Sequence, residues 1–277
     1  MEVQQPTILV IAERAGGAQA ALQKASIIAR HCGATIELFA CDVEHGWAVR
    51  RQATDPLARG TLESCLAQSA RYLDALRGSL PARDLTIATS VACADSLWEG
   101  VAARAASLAP MLVVHGLADE VVHLPSDYLN ALDVQRVRQA TVPLLLTRGR
   151  PWAPAPRIVV APGYDAPDDS TRTAVMHIAR RLYAQCHGWL IEARAEACSG
   201  PEALTDLAAQ VEADILAVAG PEAASWRAAR SSPFESLLGR AACDVLVVPR
   251  TAAAAAVNAG LPLAVVALRT NPLPGQS

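Results

Sequence analysis

Apolar and polar positions follow one another along this chain in blocks that suit strands followed by helices. Short apolar runs of strand length, such as 6–12 and 111–115, alternate with stretches that place apolar residues at helical spacing, such as 18–32 and 57–80. The strand runs are apolar at consecutive positions, which is typical of parallel strands buried on both faces. The pattern therefore predicts an α/β fold with a doubly wound parallel sheet.

The first half of the chain contains five predicted strands and four predicted helices. The strands are expected over 6–12, 35–41, 85–93, 111–115 and 144–147, and the helices over 18–32, 57–80, 96–108 and 124–139. Prolines at 151, 154 and 156 then interrupt both kinds of element, so that 149–156 is predicted to be a linker. We expect one domain over residues 1–150 and a second over 151–277.

The order of the first half returns after the linker. Ile8–Glu13 is matched by Ile158–Gly163, and the block 97–116 aligns without a gap with 201–220. Self-similarity of this kind indicates a tandem duplication.

The second copy is shorter, spanning roughly 157–250 against 7–148 in the first. It is expected to lack about one helix and one strand. The apolar run 263–268 in the C-terminal tail is predicted to supply an extra strand or to cover the edge exposed by that loss.

Composition narrows the function classes. Hydrophobic residues make up 52% of the chain and charged residues 18%, which excludes a disordered or fibrous protein. There are 24 Lys and Arg against 27 Asp and Glu, and no basic run, so neither nucleic acid nor an anionic membrane is an expected partner. Seven cysteines at irregular spacings, with no export signal ahead of the first strand, favour a reduced, soluble, cytoplasmic protein.

Three segments of the second copy carry a family resemblance. They are Gly-Pro-Glu-Ala-Leu at 200–204, Ala-Asp-Ile-Leu-Ala-Val-Ala-Gly at 213–220 and Cys-Asp-Val-Leu-Val-Val-Pro-Arg at 243–250. With the repeated strand and helix order, they resemble the universal stress protein family, and the two-copy arrangement is similar to its tandem, E-type members. The resemblance implies Rossmann-like sheets of strand order 3-2-1-4-5, packed as a pseudo-dimer through their last strands.

The resemblance also implies where a nucleotide would bind. Family members that bind ATP use an acidic residue after the first strand and a Gly-x2-Gly-x9-Gly-Ser/Thr loop after the fourth. Asp119 and Glu120 lie in the region of the second glycine in the first copy, and Ala223 takes that place in the second, so both loops are degenerate. The candidate nucleotide-binding residues are Glu13, Gly116, Asn130, Gly220, Ser231 and Ser232.

Other chemistry-bearing residues have simpler interpretations. His115 ends the fourth strand, where open α/β sheets bind ligands, although a hydrogen-bonded core histidine is commoner there. The adjacent pairs His31–Cys32 and Cys186–His187 lie at equivalent helix ends, but no C-x2-C or H-x3-H spacing accompanies them, and no metal site is expected. Asp168 is expected to cap a helix, together with its acidic neighbours.

The sequence therefore predicts a non-enzymatic universal stress protein that acts as a stress-response binding or interaction module. One alternative is an ATP-binding member with slow ATPase activity. Another is a binder of a small hydrophobic ligand in the room left by the shortened copy. No catalytic residue and no obligatory cofactor are expected, and the expected partners are an unidentified protein and a second copy of the chain in a dimer.

Overall fold

The fold is one mixed sheet covered by helices on both faces. A computed structural model of the chain describes residues 5–12, 18–80, 84–117, 142–162, 164, 167–193, 199–220 and 233–250. The strands are β1 (Thr7–Ile11), β2 (Thr35–Asp42), β3 (Ile87–Cys93), β4 (Leu112–Gly116), β5 (Leu144–Thr147), β6 (Arg157–Ala161), β7 (Trp189–Glu192), β8 (Ile215–Ala219) and β9 (Asp244–Val248).

Seven helices occur in the described part of the chain. They are α1 (Ala18–Cys32), α2 (Gly46–Arg51), α3 (Pro56–Gly78), α4 (Leu97–Leu108), α5 (Asp169–Cys186), α6 (Pro201–Gln210) and α7 (Pro233–Arg240). None of the described helices combines the length and apolar character needed to cross a bilayer. The predicted helix over 124–139 and the tail strand over 263–268 lie outside the described residues.

The strand order confirms the predicted fold class. The sheet runs β3-β2-β1-β4-β5-β9-β8-β6-β7, so the first copy has the order 3-2-1-4-5. The described strands of the second copy follow the same order without a counterpart of β3. All neighbours are parallel except β5 and β9, which pair antiparallel with Leu145 opposite Leu246.

The strand register corrects the alignment of the two copies. Helices α4 and α6 begin at equivalent residues, Leu97 and Pro201, but Val113 pairs with Leu144 where Leu216 pairs with Val245. The second copy has one residue fewer between this helix and the following strand. The gapless alignment of 97–116 with 201–220 is therefore wrong along the strand, and Gly116 corresponds to Ala219 rather than to Gly220.

Alternate residues of the central strands feed two cores. Ile8 and Val10 of β1 point to the face covered by α1, α3 and α5, whereas Leu9 and Ile11 point to the face covered by α4, α6 and α7. All four side chains are at most 1% exposed. Burial on both faces explains why these strands are apolar at consecutive positions.

Two helix starts carry side-chain caps, and the one at Asp168 confirms the prediction from sequence. Ser96 Oγ accepts a hydrogen bond from Glu99 N at 3.3 Å, and Asp168 Oδ1 accepts one from Thr171 N at 2.7 Å. Each cap satisfies a backbone N–H that has no partner within its helix. Helix α2, only six residues long, was not predicted.

A buried ion pair lies where the two copies join. Lys24 is the only lysine of the chain, and its ammonium lies 2.7 Å from the Asp244 carboxylate, with the two side chains 3% and 2% exposed. Lys24 Nζ also donates to Arg148 O at 2.7 Å. Asp244 accepts further hydrogen bonds from Arg148 N at 2.8 Å and Trp152 Nε1 at 2.7 Å. Burial raises the pKa of Asp244, and Lys24 and these donors oppose that shift.

This network connects the first helix, the linker and the last strand. Trp152 belongs to the predicted linker, and residues 148–156 form no regular element, as the prolines indicated. The side chain of Trp152 nevertheless packs against the core and holds the linker on the sheet.

Replacing Lys24 by Met should destabilise the fold strongly, because it leaves the Asp244 carboxylate buried without its counter-charge. We expect a loss of about 3–5 kcal/mol in the free energy of unfolding, measured by urea denaturation. The double variant K24M/D244N should recover part of that loss.

The matched control is Arg30→Met, on the same helix as Lys24, which removes the exposed ion pair between Arg30 and Asp84. This variant should unfold close to the wild-type midpoint. Equal midpoints for K24M and R30M would contradict a structural role for the buried pair.

Candidate functional site

Gly116 and Gly220, the two predicted nucleotide-site residues that the structure describes, lie at the carboxyl ends of central strands. β1 and β4 are parallel neighbours with Ile11 opposite His115, and β2 and β4 flank β1 on its two sides. This is the position at which open α/β sheets reverse their strand order and bind ligands. Gly116 is the last residue of β4, and Gly220 directly follows β8. Glu13, Asn130, Ser231 and Ser232 lie outside the described residues.

The backbone at the end of these strands is engaged in the sheet. Leu117 N donates to Thr147 O at 2.7 Å, and the equivalent Gly220 N donates to Val248 O at 2.7 Å. Gly220 O accepts from Arg250 Nε at 2.9 Å. A Cβ on Gly220 would lie 3.4 Å from its nearest neighbour, Val248 O. Gly220 therefore ends a strand, and its amide is engaged in the sheet.

His115 belongs to the core. Its residue is 6% exposed, and its ring meets that of Trp98 edge-on, with centroids 5.5 Å apart. The register places Val218 at the equivalent position of the second copy. Burial lowers the pKa of His115 to about 4, so the ring is neutral near pH 7.

Burial raises the pKa of each of the six described cysteine thiols. Burial raises the pKa of Cys41 to about 11, and it raises that of Cys93, Cys186 and Cys243 to about 12. Since the thiolate is the nucleophile, these side chains are poor candidates for covalent catalysis as they stand.

The two equivalent His–Cys pairs meet across the copies. Helices α1 and α5 pack together, and the rings of His31 and His187 contact each other with centroids 5.0 Å apart. His31 Nδ1 is 2.8 Å from Ile27 O, within its own helix. The contact is part of the helix packing between the copies.

A cavity of about 460 Å³ opens beside the edge strand of the first copy. β3 forms its floor, α4 one wall and the short helix α2 the other. Apolar side chains from all three elements and two arginines line it, among them Phe39, Val49, Arg50, Ala92, Ala103 and Arg104. Cavities of this size hold small organic ligands.

A buried carboxylate underlies the cavity. Glu37 on β2 is 5% exposed, and Arg104 donates two hydrogen bonds to its carboxylate. Nε donates to Oε1, and Nη2 donates to Oε2 at 2.7 Å. Ser90 Oγ donates to the same carboxylate. Burial by itself would raise the pKa of Glu37, but the hydrogen bonds from Arg104 and Ser90 and the guanidinium charge hold it below its ordinary value.

Sequence reasoning did not identify this site. Its only local signal is Glu37, a charged residue between Ile36 and Leu38 in an otherwise apolar strand. The second arginine of the cavity is Arg50 on α2. It forms an ion pair with Asp95, which lies in the turn after β3. Only the packing of α2 and α4 against β3 brings these residues to one place.

Solved structures share this fold over nearly the whole chain. A protein of unknown function from Pseudomonas aeruginosa is 18% identical, with a TM-score of 0.56, and the match covers 92% of this chain and 96% of the other. A candidate universal stress protein from the same species is 17% identical with a TM-score of 0.54, covering 92% and 97%. A universal stress protein from Archaeoglobus fulgidus is 10% identical with a TM-score of 0.58, covering 89% and 99%.

These matches establish the fold of universal stress proteins for this chain, as the resemblance in sequence implied. No protein-family model matches the sequence, and no curated protein matches it at a significant level.

The buried His115 should make stability depend on pH in one window. Its pKa is lowered from 6.5 to about 4 in the folded state, so the unfolded chain binds a proton there that the native state refuses. The associated stability is fully present above pH 6.5 and is lost as the pH falls towards 4, by up to about 3 kcal/mol.

His115→Val introduces the residue found at the equivalent position of the second copy, Val218. This variant should lose most of the decrease in the free energy of unfolding between pH 6.5 and 4, measured by urea denaturation at a series of pH values. His31→Gln, at an exposed histidine, is the control and should keep the wild-type slope. Parallel profiles for wild type and H115V would contradict the assignment.

Proposed function

We propose that this chain is a tandem universal stress protein that works as a non-enzymatic binding module of the stress response. The shared fold over 89–92% of the chain supports this, together with the sequence segments at 200–220 and 243–250. The duplicated strand order within one sheet supports the tandem type.

The cavity beside β3 is the observation that carries a binding role. Its lining combines apolar side chains, such as Phe39 and Val49, with the polar side chains of Ser90 and Arg104. Such a combination suits a small molecule with an apolar body and a carbonyl, hydroxyl or carboxylate oxygen directed at Ser90 and Arg104. We therefore assign the ligand to the first copy rather than to the side of the shortened one.

Binding rather than catalysis is supported by the state of the charged groups. Arg104 and Arg50, the arginines of the cavity, are each committed to a carboxylate, Glu37 and Asp95. Cys93 at the cavity edge carries a thiol whose pKa burial raises to about 12. These groups can orient a ligand, whereas a nucleophile or general base would need a pKa nearer neutrality.

The ATP-binding alternative stays a prediction, as do self-association and an unidentified protein partner. The engaged amide of Gly220 and the acidic residues near the first loop weigh against a tightly bound triphosphate. ATP is therefore included in the binding experiment below.

Ala103→Trp should block the cavity without disturbing the core, because Ala103 is exposed on α4 and lines the cavity. The screen contains small carboxylic acids, alcohols and heterocycles, and it includes ATP. We expect that compounds which raise the melting temperature of the wild type will not raise that of A103W. Titration calorimetry should show at least a tenfold weaker affinity.

The matched control is Ala106→Trp, which adds the same side chain at an exposed position of α4 outside the cavity lining. Ligands should stabilise A106W as they stabilise the wild type. Equal stabilisation of A103W and A106W would place the ligand elsewhere, and stabilisation by ATP alone would favour the nucleotide alternative.

A further inference from the structure

Three metal-ligating side chains, those of Asp42, His45 and Cys65, meet near the carboxyl ends of β2 and β3, and Cys93 lies opposite Asp42 in the strand register. Asp42 and Cys93 are the last residues of these strands and lie directly opposite each other in the register. Register partners on adjacent parallel strands project to the same face of the sheet, about 5 Å apart. The face is the one that α3 covers, since Leu38 and Val91 on the same strands pack in that core.

His45 is held close to Asp42 by the turn that follows β2. Asp42 Oδ1 accepts from His45 N at 2.9 Å and lies 3.0 Å from His45 Nδ1. The next residue, Gly46, packs tightly against the turn after β3, where an added Cβ would lie 2.6 Å from Ala94 O. The glycine allows α2 to approach β3 and thereby fixes the position of the imidazole.

Cys65 approaches from α3 above these residues. It is 4% exposed, its thiol donates to Leu62 O at 3.2 Å, and it lies near enough to Cys93 for each thiol to influence the pKa of the other. Ligand atoms of Asp42, His45 and Cys65 all lie within 4.8 Å of one another. Ligands of a tetrahedral zinc ion are about 3.3–3.8 Å apart, so small rotations would bring these three side chains to that spacing, and a rotation of Cys93 would supply the fourth ligand.

We propose that Cys65, Cys93, His45 and Asp42 form a binding site for a divalent transition metal ion of the zinc type. Two thiolates and one imidazole select zinc over the harder magnesium and calcium, which prefer oxygen ligands. The fourth ligand, a carboxylate, is common at zinc sites. Binding releases the protons of both thiols.

The burial of the donors suits a site with one open side. The Asp42 side chain is 8% exposed and that of His45 36%. The ion would tie α2 and α3 to the ends of two strands, and α2 together with Cys93 also borders the cavity. Of the four proposed ligands only Cys93 also lines the cavity, and zinc binding is measured without any cavity ligand, so either proposal can fail without the other.

The proposal departs from the expectation that the chain binds no metal. That expectation rested on the absence of C-x2-C and H-x3-H spacings. The only short spacing here is Asp42-x2-His45, and the two cysteines stand 20 and 48 residues beyond His45. The fold, not a local motif, assembles the donors.

The test is a zinc titration of reduced, metal-free protein in competition with a chromophoric chelator, followed by cobalt absorption spectroscopy. We expect one zinc ion per chain, a higher melting temperature with zinc, and a thiolate-to-cobalt charge-transfer band. Removing a residue that only hydrogen-bonds a metal ligand typically lowers metal affinity about 10–100-fold. The variants Cys65→Ser, Cys93→Ser and His45→Gln each remove a ligand itself, so each should lower the zinc affinity by more than that.

Cys32→Ser, on α1 away from the cluster, is the matched control and should bind zinc as the wild type does. Far-UV circular dichroism of each variant shows whether it remains folded, and C93S and H45Q keep the test valid if C65S does not fold. Absence of zinc binding by the wild type would overturn the proposal. Equal zinc affinity of C32S, C93S and H45Q would overturn it as well, as would a Cys65–Cys93 disulfide that forms equally fast with and without zinc.

Discussion

The buried ion pair between Lys24 and Asp244 determines how the two halves of this protein are joined. A charge removed from water is tolerated only with a partner and satisfied hydrogen bonds, and here Arg148 and Trp152 complete the set. The pair links α1 of the first copy to β9 of the second, directly at the antiparallel β5–β9 seam. The described strands form one continuous sheet across this seam, with β3 and β7 outermost among them.

Because β5 and β9 lie at the centre of the sheet, β3 is the outermost strand of the first copy. The side chains that line the cavity are accessible beside this strand. Helix α4 covers β1 and β2 more than β3, and the short helix α2 closes only part of the gap. The cavity lies on one face of this edge, and the Asp42, His45, Cys65 and Cys93 cluster lies on the other. A pair of carboxylates, Glu37 and Asp42, therefore marks both faces of β2. Among the described strands of the shortened copy β7 is outermost, and its Trp189 is 61% exposed.

Much of this fold was predictable from sequence, because strands buried on both faces and amphipathic helices leave strong periodic signals. Helix α1 spans the predicted residues 18–32, and the predicted strand order was confirmed. The one-residue error at β8 arose because a shorter helix connection leaves the apolar pattern unchanged while shifting the register. Helix α2 was missed because six residues are too few to show a period.

The sites were less predictable than the fold, for a physical reason. Gly116 and Gly220 were identified by analogy with phosphate loops, yet the amide of Gly220 belongs to the strand ladder. Lys24 was noticeable only as the single lysine, and its meaning depends on Asp244, 220 residues away. Groups brought together by packing over such separations leave no local spacing to find.

Native mass spectrometry of the protein purified without added ligand, compared with the same sample under denaturing conditions, tests the central claim most directly. The account predicts a non-covalent small molecule that is not a nucleotide, present in the native spectrum and lost on denaturation. One adenine nucleotide per chain would contradict it, because the degenerate loops would then be the working site.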